Sequence, residues 1–108
     1  MKVSMHAVSA DLITNILGNL SWLLQKGEAN AASRKFDPAV LLSARLAPDM
    51  LPLTRQIQIA GDIAKNSLAR LAGQEPPRFE DNETTIEQLR ARLARTIDYI
   101  KSIPASAF

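Results

Sequence analysis

Apolar residues recur every three or four positions along three stretches of this 108-residue chain. In the first, Met5, Val8, Leu12, Ile16, Leu20 and Leu23 form one row, and Ile13, Leu17, Leu20 and Leu24 a second. That spacing predicts an amphipathic helix from Met5 to Lys26 with a broad apolar face. Ser4 is placed to cap its first turn, and Gly27 offers the left-handed geometry on which helices end. Glu28 to Phe36 is polar and Ala-rich, a loop or a short helix. Asp37-Pro38 opens a short helical segment, Ala39 to Ala47, because Asp caps and proline suits the first helical position. Pro48 closes it by pushing the residue before it out of helical geometry.

The second long helix is expected from Asp49 to Ala72, with Pro52 in its first turn and Gly73 as its terminator. Leu53, Ile57, Ala60, Ala64, Leu68 and Leu71 form its stripe, widened by Ile59 and Ile63. Gly61 lies mid-helix, which suggests the close approach of a neighbouring helix. Gln74 to Glu83 holds Pro76-Pro77 and four acidic residues, so it is an extended surface connection. Thr84 and Glu87 have capping-box spacing. Beyond them Ile86, Leu89, Leu93, Ile97 and Ile100 mark a third long helix, with Arg90, Arg92 and Arg95 on other faces and Pro104 at its end.

The length predicts one domain over residues 1–108. With 46% hydrophobic but only 5% aromatic residues, the core must be built from Leu, Ile, Val and Ala. Thirteen basic and eleven acidic residues leave a net charge of +2, and they are interspersed, so nucleic acid is not an expected partner. The absence of cysteine removes disulfides, thiolate chemistry and Cys-ligated zinc. The N-terminus MKVSMHAVSADL lacks the apolar core of a signal peptide. No apolar stretch approaches the roughly 20 residues of a membrane span. A cytoplasmic protein with no membrane partner is therefore expected.

Candidate chemistry is sparse. His6 is the single histidine, and one His without Cys cannot build a zinc site of N and S donors. The glycines, Gly18, Gly27, Gly61 and Gly73, are isolated, so no phosphate loop exists. No Ser-His pairing points to a triad, and Trp22 reads as packing. Polar residues on the second helix are the better clue: Arg55, Gln58 and Asp62 define a possible polar pocket. A carboxylate turned inward there needs a partner, and Arg55 and Lys65 are near enough in sequence to serve Asp62.

The runs LGNLSWLLQKGEA, FDPAVLLSARLAPDMLPLTRQIQIAGDIAK and LARLAGQEPPRFEDNETTIEQLRARL resemble a bacterial family of unknown function, domain of unknown function nineteen-ninety-three. That family belongs to the DinB/YfiT-like helical-bundle superfamily. The resemblance implies an all-α fold, an antiparallel up-and-down four-helix bundle, here with its last helix missing, and commonly dimeric. It also implies, for many relatives, a divalent metal held by three histidines and thiol-transferase-like activity. This chain has Ile59-Ala60-Gly61-Asp62 where the second-helix ligand would stand, so a divalent metal is expected only if C-terminal ligands exist elsewhere. No catalytic residue, metal ligand or cofactor is assigned. The leading expectation is a self-associating DinB-like bundle, a homodimer, with no specific activity and not an enzyme in this chain. The alternatives are a metal-dependent enzyme of the superfamily type and a non-catalytic small-molecule binding module.

Overall fold

The computed structural model describes residues 4–45 and 47–108. Met1 to Val3 of the stretch read for a signal peptide, and Leu46 within the expected Ala39–Ala47 segment, lie outside the described residues. All regular structure among the described residues is helical, as the periodicity predicts. The elements are α1 (Leu12–Arg34), preceded without a break by a π-helical turn at Ala7–Asp11, then α2 (Ala39–Leu42), α3 (Leu53–Leu71) and α4 (Ile86–Ser102). The Ser4 hydroxyl accepts the Ala7 N–H at 3.0 Å, capping the first turn.

The first helix does not stop at Gly27. It runs on through the Ala-rich segment to Arg34 and ends at Lys35, which adopts the left-handed conformation (φ 59°). There the N–H of Phe36 bonds the carbonyl of Ala31, and that of Lys35 bonds Ala32. The end of α3 repeats this pattern at Gly73 (φ 75°), with Gln74 bonding Ala69 and Gly73 bonding Arg70. Both ends are Schellman motifs, which satisfy carbonyls left open at a helix terminus. Gly27 serves packing instead: a Cβ there would stand 3.3 Å from Leu41 Cδ1, so its bare backbone lets α2 sit close.

Two other expectations shift. The short segment is helical only over Ala39–Leu42, with Asp37 Oδ1 accepting the Ala39 N–H at 3.0 Å. The capping box of α4 lies one residue later than expected, on Thr85 and Gln88 rather than Thr84 and Glu87. Thr85 Oγ1 accepts the Gln88 N–H at 3.1 Å, while Gln88 Oε1 accepts the N–H groups of both Thr84 (2.7 Å) and Thr85 (3.3 Å). The longer Gln side chain satisfies two donors at once, and the frame buries Ile86.

The core is aliphatic. Leu17 and Leu24 of α1, Ile57 and Leu68 of α3, and Leu89, Leu93 and Ile100 of α4 form one buried cluster. The third long helix lies between the other two. Arg90 reaches Ser21 (3.2 Å) and Gln25 (3.4 Å) on α1, while Lys101 lies beside Asp11 and Thr14, so α1 and α4 are antiparallel. Up-and-down alternation holds between α1 and the other long helices. The linker after Gly73 crosses back along the bundle, so α3 and α4 run in the same direction. Gln58 meets Glu83, Asp62 meets Arg92, and Gln74 meets Tyr99. Gly61 faces Leu93 and Thr96, each 3.8 Å from where a Cβ would stand. Its neighbour is α4, but at ordinary contact distance.

Because α1 continues past Gly27, the helix from Ala7 to Arg34 is long and apolar enough, by length and composition, to cross a membrane. Mostly buried core helices meet the same criterion; here 22% of the apolar window is buried within the protein, and Leu17, Leu24 and Ala31 are the buried residues of α1. A 28-residue helix is about 42 Å long, which sets the long axis of a 48 × 27 × 23 Å molecule.

Candidate functional site

Helix α3 presents Arg55, Gln58, Asp62 and Lys65 at steps of three and four, hence along one side. That side faces the returning linker, which supplies Asp81 and Glu83, and α4, which supplies Arg92. Arg92 is the centre. Its side chain is 1% exposed, and its two terminal nitrogens reach four oxygens. Nη1 donates to Glu83 Oε1 and to the Glu80 carbonyl, both at 2.8 Å. Nη2 meets Asp62 Oδ1 at 2.8 Å and Asp81 Oδ1 at 2.9 Å. The planar guanidinium fork suits such multiple pairing, which an ammonium cannot reproduce. Nε alone lacks a partner.

The remaining groups extend the network. Gln58 donates to Glu83 Oε1 at 3.2 Å and accepts from Arg55 at 3.1 Å. Arg55 also grips Asp81 Oδ2 at 2.9 Å. Lys65 stands 3.4 Å from Asp62 Oδ1. Arg55, Lys65 and Arg92 thus balance Asp62, Asp81 and Glu83. Burial acts to raise the pKa of Asp81, but the hydrogen bond from Arg55 and the attraction of Arg92 and Arg55 outweigh it and hold the carboxyl below its ordinary range. Burial likewise opposes the charge on Arg92, and its hydrogen bonds to Asp62 and Glu83 overcome that and raise its pKa.

Arg55, Gln58 and Asp62 therefore stand in one polar cluster. Arg55 does not bond Asp62, as its sequence position suggested; it bonds Gln58 and Asp81. Arg92, placed by the periodicity off the apolar face, is the buried hub, and the linker carboxylate Glu83 is buried with it. A signal for this existed. Arg92 precedes Leu93 and follows Leu89 by three, at the edge of the apolar stripe, and the acid-rich linker holds Arg78 as its one cation. Phe79 is held in the same region, with Lys65 Nζ 4.3 Å and the Arg95 guanidinium 4.8 Å from its ring. His6 lies elsewhere, edge-on to the Phe108 ring at 5.5 Å.

The model of the family described as Domain of unknown function (DUF1993) matches residues 5–108. The chain belongs to that family. A crystal structure of a DinB family member from Shewanella denitrificans superposes with a TM-score of 0.92 at 39% sequence identity. The match covers 96% of this chain and 60% of the Shewanella chain, so the DUF1993 chain spans about three fifths of that relative's length. No curated protein matches it.

The divalent metal implied by the wider superfamily does not suit the donors in this DUF1993 chain. Among the described residues, no group of three or more His, Cys, Asp or Glu side chains is placed to hold a metal ion. The carboxylates that do converge, Asp62, Asp81 and Glu83, close on the Arg92 guanidinium. A second positive charge between them would be repelled at contact distance. What the cluster does chemically is fasten the crossing linker to α3 and α4.

Proposed function

We propose that this DUF1993 bundle works by association, pairing its first helix with a partner helix, and that the partner is a second copy of the chain in a bacterial cytoplasm. The carrying observation is the division of the apolar surface of α1. Leu17, Leu24 and Ala31 are buried against the bundle, whereas the next arc remains open, with Met5 at 53%, Leu12 and Ile16 at 54% and Leu23 at 57% exposure. A contiguous exposed apolar stripe on a protein of this size marks an interaction surface. A two-fold pair is the simplest closed way to cover it. The aliphatic character of the stripe, and the arginine-bound carboxylates of the polar cluster, favour a binding role over a metal-dependent reaction. Asn15, Asn19 and Lys26 flank the stripe and suit a protein partner better than lipid tails.

Light scattering coupled to size exclusion tests this. The wild-type chain is expected at twice its 11.8 kDa mass. Ile16→Lys combined with Leu23→Lys is expected to give a monomer with unchanged helicity, because both positions are exposed. A monodisperse wild-type monomer across the accessible concentration range overturns the proposal.

A further inference from the structure

Beside the ion-pair cluster, a cleft of about 900 Å³ lies between α3 and the crossing linker. Lys65, Asn66 and Arg70 line it from the helix, and Pro77, Arg78 and Phe79 from the linker. Its volume is within the range of small-molecule sites. Lys65 gives it direction. The side chain is 4% exposed, and an ammonium carries three donors. Its one hydrogen bond among the described residues is the 3.4 Å contact to Asp62 Oδ1, an oxygen that Arg92 already holds at 2.8 Å. The Phe79 face steadies the charge but supplies no oxygen acceptor. A buried cation so thinly paired gains from an added oxyanion.

The surroundings agree. Arg70 and Arg78 line the same cleft, and neither has a carboxylate within ion-pair distance among the described residues. Of the lining carboxylates, Asp62 and Asp81 belong to the balanced network in which Arg55, Lys65 and Arg92 meet Asp62, Asp81 and Glu83. Glu75 and Glu80 remain, and Glu80 accepts from Asn82 at 3.4 Å. Outside that network Arg70 and Arg78 face Glu75 and Glu80, an even balance, so it is the thin pairing of buried Lys65 that gives the cleft its preference for an anion. We propose that this cleft binds a small oxyanion-bearing molecule, a carboxylate or a phosphate, with the anionic group on Lys65 and with Arg70 and Arg78 closing over it.

Citrate and inorganic phosphate are suitable probes, each titrated at ionic strength matched with chloride and followed by backbone amide NMR shifts. Saturable shifts confined to the amides around Lys65 to Arg70 and Arg78 to Phe79 are expected with at least one probe, and the preferred probe distinguishes carboxylate from phosphate. Arg70→Gln and Arg78→Gln, both at exposed positions, should each weaken binding by about tenfold, the effect of losing a charge-assisted hydrogen bond. Lys65→Met should abolish binding; if that variant does not fold, the two arginine variants still decide. Absence of saturable binding by both probes, or binding that neither arginine variant weakens, overturns the proposal.

Discussion

Arg92 draws its four oxygen partners from α3 and from three positions of the crossing linker. Removing a buried charge that other charges surround is far more damaging than removing an exposed one, because the partners are left uncompensated. Arg92→Ala is accordingly expected to lose about 3–5 kcal/mol in urea denaturation, a large part of the stability of a domain this size. Arg90→Ala, whose side chain is only half-buried and bonds neutral partners at 3.2 and 3.4 Å, should lose about 1 kcal/mol or less. Spacing along α3 was enough to bring Arg55, Gln58 and Asp62 together from sequence. Arg92 escaped because its partners lie as far as 30 residues away, and helical periodicity says nothing about which face a distant carboxylate will meet.

Among the elements, helix ends carry the main lesson. Glycine is the usual left-handed terminator, so the sequence pointed to Gly27 and Gly73, and only Gly73 ends a helix. At Lys35 the same motif forms on a residue whose Cβ disfavours it. Ala31 is fully buried in the stretch that carries α1 past Gly27, and the chain then turns where Phe36 closes the motif. Lys35→Gly should therefore stabilise the protein by about 1 kcal/mol, roughly 5 °C in Tm by calorimetry. Gly73→Ala should lower Tm by a similar amount. The existence and faces of the three long helices were legible because each stripe is long and regular. The one-residue shift of the α4 cap was not, since Thr84 and Thr85 are both competent caps and the reach of Gln88 decides between them.

At the scale of the molecule, the linker is fastened by charge, and stability is expected to fall in acid. Asp81 has a depressed pKa in the folded chain, so its contribution is complete above its ordinary value of 3.8 and is lost as pH falls through the lower folded value. Arg92, raised in the folded state, stays protonated throughout that range and adds no slope of its own. Thermal stability should thus hold from neutral pH to about 5 and decline below 4. Asp81→Asn should lower stability at neutral pH and flatten that acid decline; an unchanged acid profile in this variant would place the sensitivity elsewhere.

The crossover has a further consequence for how the chain is made. Since α3 and α4 run in parallel, consecutive long helices do not close as a hairpin, and α1 finds its main partner in the last helix of the sequence. Ser21 leaves the ribosome 69 residues ahead of Arg90, the group it bonds. At ordinary translation speeds that interval is on the order of ten seconds. Throughout it the most apolar helix of the protein lacks α4, its main packing partner. Slowing translation between α3 and α4 is therefore expected to lower the folded yield, which synonymous rare codons placed in the linker would check.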